Sequence, residues 1–209
     1  MLTGIVDFDR LRKTESPWLF VCATNVLTGR LRIFDKSEIS VDAVLASACL
    51  PNLFPAVEIG GEYFWDGGYM GNPPIFPLIY RGDSRDILIV QINPINIPSV
   101  PVTAPEIADR VQTLSWNSSL MREMRAIHFV TTLIEKGFDD DGKLQHMWIH
   151  TIDAEHELNA FSVSSKLNAD WDWLMHLFAL GRRKAHEFLS DHSDKIGVRS
   201  STDIVAKFL

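Results

Sequence analysis

Short apolar runs separated by turn-forming residues predict the strands of this chain. Residues 18–26 are predicted as a buried strand, and residues 30–34 alternate polar and apolar positions like the second arm of a hairpin. Residues 58–63 predict another hairpin, with a Gly-Gly turn. Residues 86–93 are the clearest strand, and their continuous Ile, Leu and Val content predicts burial on both faces, as in a sheet covered by helices. Residues 147–152 predict one more strand.

Apolar residues at helical spacing predict four helices, at residues 41–48, 75–80, 106–136 and 171–189. Ser40 and Asp170 are the predicted N-caps of the first and last helices. Pro51 is predicted to stop the first helix and Gly137 to end the third, and residues 139–142 are predicted as a turn. Together, the strands and helices predict an α/β fold.

A proline-rich connection divides the chain. Pro94, Pro98, Pro101 and Pro105 fall between the strand at residues 86–93 and the long helix. We therefore predict one domain at residues 1–95 and a mainly helical extension at residues 96–209.

Composition and charge narrow the class of protein. The chain has 209 residues, 46% of them hydrophobic, which is enough to bury a sizeable core. Its 20 basic and 27 acidic residues give a formal charge of −7, so nucleic acid is not expected as a partner. Asp7 precedes any long apolar run, and no stretch approaches the roughly 20 residues of a membrane span. A cytoplasmic protein is expected, with peripheral membrane contact left open.

The two cysteines, Cys22 and Cys49, show no CxxC spacing. Free buried thiols in a reducing compartment are the favoured interpretation, and a single disulfide stays open as an alternative.

Asp66 is the main candidate for chemistry. It follows the strand-forming residues Tyr63, Phe64 and Trp65 and precedes Gly67 and Gly68. These glycines tolerate positive φ and leave open space beside the carboxylate. Taken alone, an Asp-Gly-Gly at a strand end is usually a turn, because Asp accepts backbone hydrogen bonds there.

The wider pattern resembles the patatin-like phospholipase family. The residues that carry the resemblance are Ala46-Ser47-Ala48, Pro51, Phe54-Pro55, Gly60-Gly61, Trp65-Asp66-Gly67-Gly68 and Asn72-Pro73-Pro74, preceded by a strand at residues 21–26 and a turn at Thr28-Gly29. The resemblance covers about residues 1–95, and the remainder looks like the C-terminal extension of some bacterial members. It implies a patatin-like sheet covered by helices and incomplete at its N-terminal side.

The resemblance also implies a chemistry. In that family a Ser-Asp dyad without histidine cleaves lipid acyl esters, so Asp66 would be the general base. Apolar neighbours would raise its pKa. The implied partner is a phospholipid or another acyl lipid, with no cofactor. Gly67, Gly68, Ser47 and Pro51 would belong to the motif, and Asn72 would cap the following helix or steady the Asp66 loop.

The family's nucleophile is not found in this chain. Family serines lie in Gly-x-Ser-x-Gly, and no serine here has glycines at both of those positions. Ser47, Ser118, Ser119, Ser164 and Ser165 are candidates by residue type only. We expect the chain to carry the Asp of the dyad and to be inactive alone. The alternative is a truncated, non-catalytic lipid-binding or protein-interaction module.

Three further expectations concern metals, the last long helix and association. His146 and His150 lie in or beside a strand, where four-residue spacing is not that of a helical zinc motif, so no metal is expected. The apolar face of residues 171–189 is expected to pack on its own domain, with docking at a lipid surface as the alternative.

The oligomeric state is open, but a parallel sheet lacking its first strands would leave an edge unpaired. That edge predicts a poorly soluble or oligomeric chain.

Overall fold

The computed structural model describes residues 2–15, 17–138, 141, 143–161, 165 and 167–209. These residues form two compact units, one up to Pro77 together with Ser118–Leu120, and the other from Leu78–Asn117 and Met121–Leu209. The mixed α/β class and the long helices of the C-terminal half are confirmed. The boundary after residue 95 stays a prediction. Of the turn predicted at residues 139–142, only Asp141 lies within the described residues, and Ser164 lies outside them.

The first unit is built on a four-stranded antiparallel sheet in the order β2-β1-β4-β3. Its elements are α1 (Phe8–Lys13), β1 (Phe20–Asn25), β2 (Leu31–Asp35), α2 (Val41–Ser47), β3 (Val57–Ile59) and β4 (Glu62–Asp66), followed by α3 (Phe76–Arg81) at the boundary with the second unit. The parallel sheet expected here is wrong. Short hairpin connections make the β1–β2 and β3–β4 pairs antiparallel, and β4 also pairs with β1 in the antiparallel direction. Both predicted hairpins are confirmed.

Local chemistry explains the elements of this unit. Gly60 and Gly61 have φ of 60° and 82°, as a tight two-residue hairpin turn requires. The Ser40 hydroxyl caps α2 by accepting the N–H of Ala43. The core comprises Ala23, Phe34, Ile39, Ala43, Ala46 and Phe64. In it the rings of Phe34 and Phe64 meet edge to face, with centroids 5.8 Å apart.

The second unit contains one parallel strand pair and several helices. Its elements are β5 (Asp86–Gln91), α4 (Ala104–Glu135), β6 (Trp148–Asp153), α5 (Glu155–Leu158), α6 (Trp171–His192) and α7 (Ile204–Phe208). α4 begins with a capping box between Thr103 and Glu106, and Gly137 (φ 87°) follows its end. Asp170 caps α6 by accepting the N–H of Trp173. The predicted long helices are therefore confirmed.

Burial in the second unit differs from the sequence expectation at β5. Ile87 and Ile89 are buried, whereas Leu88 is 48% and Val90 67% exposed. The prediction of burial on both faces is therefore wrong. Continuous apolar composition reports the β-propensity of Ile, Leu and Val, and only neighbouring elements decide which face they cover.

α6 also departs from its expected packing. Leu180 and Phe188 are buried, but Trp171 is 71% and Phe178 56% exposed. The helix thus has one packed and one open apolar face, so the expectation that its apolar face packs on the domain is only half right. Among the described residues, no helix combines the length and apolar character needed to cross a bilayer.

Candidate active site

Asp66 ends β4 with its backbone held from two sides. Its N–H donates to the Cys49 carbonyl at 2.8 Å, and its own carbonyl accepts the Thr24 hydroxyl at 2.8 Å. In the sheet it lies opposite Ala23 of β1, which is fully buried. These contacts fix the position of the Asp66 Cα, so the side chain projects from a rigid point.

The two carboxylate oxygens of Asp66 differ in their hydrogen bonding. Oδ1 accepts the N–H of Gly68 at 2.8 Å and caps a 3₁₀ turn over Gly67–Tyr69. Oδ2 accepts no hydrogen bond from any described residue. Burial raises the pKa of Asp66, and this effect outweighs the lowering by the Gly68 N–H. A carboxylate held by one oxygen, with the other free and its basicity raised, can accept a proton.

Gly67 is required by close packing. A Cβ on Gly67 would lie 2.2 Å from the Cys22 carbonyl oxygen and 2.4 Å from its Sγ. The sequence suggested positive φ as the reason for glycine at these positions. That reason is wrong, because neither Gly67 nor Gly68 is among the residues with φ above zero. β1 and the Asp66 loop can approach this closely only because glycine has no side chain.

Both cysteines are free thiols beside this site, as favoured from the sequence. Burial, and then the negative charge of Asp66, raises the pKa of Cys22 to about 11. Burial also raises the pKa of Cys49, with a smaller contribution from Asp66, and the same two causes raise that of Tyr69. The raised pKa values keep these three neighbours protonated at neutral pH.

The remaining motif residues have structural contacts. The Ser47 hydroxyl donates to the Val44 carbonyl within α2 at 2.7 Å, and Pro51 lies in the turn after that helix. The Asn72 N–H donates to Ser119 Oγ at 2.8 Å. α3 begins at Phe76, so Asn72 is too far upstream to be its N-cap. The helix-capping role expected for Asn72 is therefore wrong.

The other candidate serines are also engaged in structure or undescribed. Ser119 is buried and accepts the Asn72 N–H, and the Ser165 carbonyl accepts the indole N–H of Trp173 at 3.1 Å. At the far end of β1, Asn25 Oδ1 accepts the N–H groups of Leu27 and Thr28, so it shapes the turn into β2.

The histidines considered as metal ligands have separate partners. His146 Nε2 lies 3.3 Å from Glu135, whereas His150 lies between Asp86 and Ser201. In the described part of the chain, no three His, Cys, Asp or Glu side chains are grouped as metal ligands would be. The contact between His150 and Ser201 is not predicted by the sequence pattern. A histidine inside an apolar strand signals that it needs buried partners, but nothing in the sequence identifies which ones.

Comparison with known proteins gives a match over the region that contains Asp66. Residues 7–79 match the family model of the patatin-like phospholipases. The chain is also 33% identical over 84 residues to the lysophospholipase NTE1 of Cryptococcus neoformans var. neoformans serotype D, in strains JEC21 and B-3501A. The aligned segment covers 39% of this chain but only 5% of each relative. The similarity is therefore local.

Proposed function

We propose that this chain carries the base of a patatin-like lipid acyl hydrolase. Asp66 would act as general base toward a serine in a Gly-x-Ser-x-Gly segment that this chain does not contain. The observation that carries the proposal is the environment of Asp66. Its backbone is hydrogen-bonded on both sides, burial raises its pKa, and no described residue donates to Oδ2. The family match at residues 7–79 supports acyl lipids as the substrate class.

The proposed reaction uses the two oxygens of Asp66 differently. Oδ2 takes the serine proton as the serine oxygen attacks the ester carbonyl, while Oδ1 keeps its bond to the Gly68 N–H. The neutral carboxylic acid then returns the proton to the departing alcohol. A raised pKa assists the first step, because it makes Asp66 a stronger base toward the serine hydroxyl.

The proposal is tested by ester hydrolysis on a micellar acyl substrate. Two versions are compared, this chain alone and the chain extended through its upstream reading frame. We expect only the extended version to hydrolyse the substrate, and Asp66→Asn to lower its kcat by at least about 100-fold, as for loss of a general base. The matched control is Asp83→Asn, which neutralises an exposed aspartate outside the Asp-Gly-Gly motif and should leave kcat unchanged. Full activity of the extended Asp66→Asn variant would refute the proposal.

One observation favours a second candidate function, a lipid-binding module without catalysis. The open face of α6 carries Trp171, Leu174, Met175 and Phe178, and the Arg182 guanidinium lies 5.7 Å from the centre of the Phe178 ring. Aromatic residues next to a basic side chain suit the surface of a bilayer. Co-sedimentation with phosphatidylcholine vesicles tests this function. Binding by the parent chain that is lost in Trp171→Ser/Phe178→Ser would support it, and no binding by the parent would exclude it.

A further inference from the structure

A serine, a histidine and an aspartate meet in the second unit. Ser201 Oγ lies 2.9 Å from His150 Nδ1, and His150 Nε2 lies 2.9 Å from Asp86 Oδ1. We infer that Ser201 is an activated nucleophile, with His150 as its general base and Asp86 as the residue that positions the imidazole. This order of nucleophile, base and orienting carboxylate is the arrangement that makes a serine hydroxyl reactive.

The parallel strand pair brings the three residues together. Asp86 opens β5, and His150 lies on β6 opposite Leu88. Because residues two apart on a strand share a face, the side chains of Asp86 and His150 project from the same side of the pair. The N–H groups of Ser201 and Thr202 both donate to the Ile149 carbonyl, at 3.2 and 3.0 Å. These bonds hold Ser201 beside β6.

The hydrogen-bond partners assign the proton on His150. The Asp86 carboxylate is acceptor-only when ionised. Although burial would raise its pKa, the Gly197 N–H and then His150 lower it below the usual value. His150 Nε2 therefore carries the proton and donates to Asp86. Nδ1 then has a lone pair, and the Ser201 hydroxyl donates to it.

The base His150 is more deeply buried than the nucleophile Ser201. His150 is 1% exposed and packs edge to face against Phe188, with ring centroids 6.1 Å apart. Burial keeps water from the base, and the Asp86 carboxylate lies within hydrogen-bond distance of it. Ser201 is only partly buried. Ser201 is thus less enclosed than His150, and we expect a small electrophile from solution to reach its hydroxyl.

The surroundings of Ser201 indicate activated esters as the substrate class. The nearby cavity of about 210 Å³ is lined by Ser200 and Thr202 but not by Ser201 or His150, so it does not define an acyl pocket for this serine. In the reaction, Ser201 Oγ forms a bond to the acyl carbon, the ester C–O bond breaks, and the serine proton passes through His150 Nδ1 to the departing alcohol. Since the Ser201 and Thr202 N–H groups are already bonded to Ile149, they do not stabilise the oxyanion. We therefore expect fast acylation only by activated esters.

A fluorophosphonate probe tests the inference on the full chain. Labelling forms an O–P bond, breaks the P–F bond, releases fluoride and leaves the serine proton on His150. Peptide mass spectrometry should locate the label on Ser201 in the parent chain and find it absent in Ser201→Ala. Ser200→Ala is the matched control, because the Ser200 hydroxyl accepts the Ile149 N–H and should not be needed for labelling. A parent chain unlabelled at Ser201 would overturn the inference.

The role of Asp86 is tested separately. Asp86→Asn should slow labelling at least tenfold, because an amide no longer fixes the Nε2–H form of His150. Asp86→Glu keeps the carboxylate and should restore part of the rate. Equal rates in folded parent and folded Asp86→Asn, compared by circular dichroism, would remove Asp86 from the site. Asp66→Asn should label like the parent chain, so this test and that of the proposed lipid hydrolase fail independently.

Discussion

Asp66 is both a turn residue and a candidate base, because its two oxygens have different surroundings. Oδ1 caps the turn through Gly68, and Oδ2, to which no residue in the described part of the chain donates, can accept a proton. An Asp-Gly-Gly sequence leaves turn and catalysis as competing interpretations, whereas the geometry makes them compatible. The turn is what orients the free oxygen.

The raised pKa of Asp66 predicts how stability depends on pH. An acid whose pKa is raised on folding favours the folded state when protonated, and that contribution is lost as pH rises through the raised pKa. Asp66→Asn keeps an oxygen for the Gly68 N–H and removes the buried charge. We expect it to stabilise the fold at pH 8 by about 1 kcal/mol, or a rise in Tm of about 2–4 °C.

Thermal melts of the parent and Asp66→Asn at several pH values check this prediction. The difference in Tm should shrink as pH falls and vanish below about pH 4, where the aspartate is protonated in both states. A Tm for Asp66→Asn that is lower than the parent's at pH 8 would contradict it.

At the scale of elements, β1 and the end of β4 are in contact through a glycine. Gly67→Ala would place a methyl group against the backbone of Cys22, which can only move with the strand. We expect a loss of about 3 kcal/mol in the free energy of unfolding, since overpacking against backbone is poorly relieved. Gly181→Ala is the control, because Gly181 lies inside α6 and the added methyl would meet no atom within 4 Å beyond its chain neighbours and the backbone of its own helix. There alanine should stabilise the chain by about 0.5–1 kcal/mol.

Urea denaturation of the two variants measures both effects. Gly67→Ala should lower, and Gly181→Ala should raise, the urea concentration at the midpoint of unfolding. If Gly67→Ala unfolds at the same urea concentration as the parent, the contact with Cys22 does not constrain the loop.

Elements whose cause is local could be predicted from the sequence. Ser40 and Asp170 were identifiable as caps because their side chains bond N–H groups three residues away. The Gly60-Gly61 turn was identifiable because few other residues tolerate two positive φ values in succession. The position of Asp66 at a strand end follows from the same local chemistry.

What the sequence could not predict depends on distant neighbours. The exposure of Val90 depends on which element covers that face of β5, and composition carries no such information. Ser201 meets His150 across 51 residues of chain, so no spacing rule could connect them. Ser201 is positioned by backbone bonds to Ile149 and not by flanking glycines, so the Gly-x-Ser-x-Gly pattern does not identify it.

At the scale of the whole molecule, β5 is a strand that favours association between chains. In the described sheet it pairs only with β6, and Leu88, Val90 and Ile92 are 48%, 67% and 71% exposed. An unpaired edge beside an exposed apolar face favours association between chains. We expect the isolated chain to self-associate and Val90→Lys to reduce this association, because a charge on an edge strand opposes pairing.

Size-exclusion chromatography with light scattering checks that expectation. Val198→Lys is the matched control, since Val198 is 63% exposed but lies outside any strand. A parent chain that runs as a monomer of 23.6 kDa at all concentrations would refute it.

The packing of Cys22 against Gly67 makes the reactivity of the Cys22 thiol a probe of local opening at the candidate site. With a pKa of about 11, only about one Cys22 thiol in ten thousand is a reactive thiolate at pH 7. Local opening of the Asp66 loop would hydrate the thiol and return its pKa toward the ordinary value. The rate of Cys22 alkylation in the folded chain, divided by the rate in urea, therefore reports the free energy of that opening. Peptide mass spectrometry separates Cys22 from Cys49, so the mobility of the loop can be measured without a substrate, a nucleophile or any catalytic turnover.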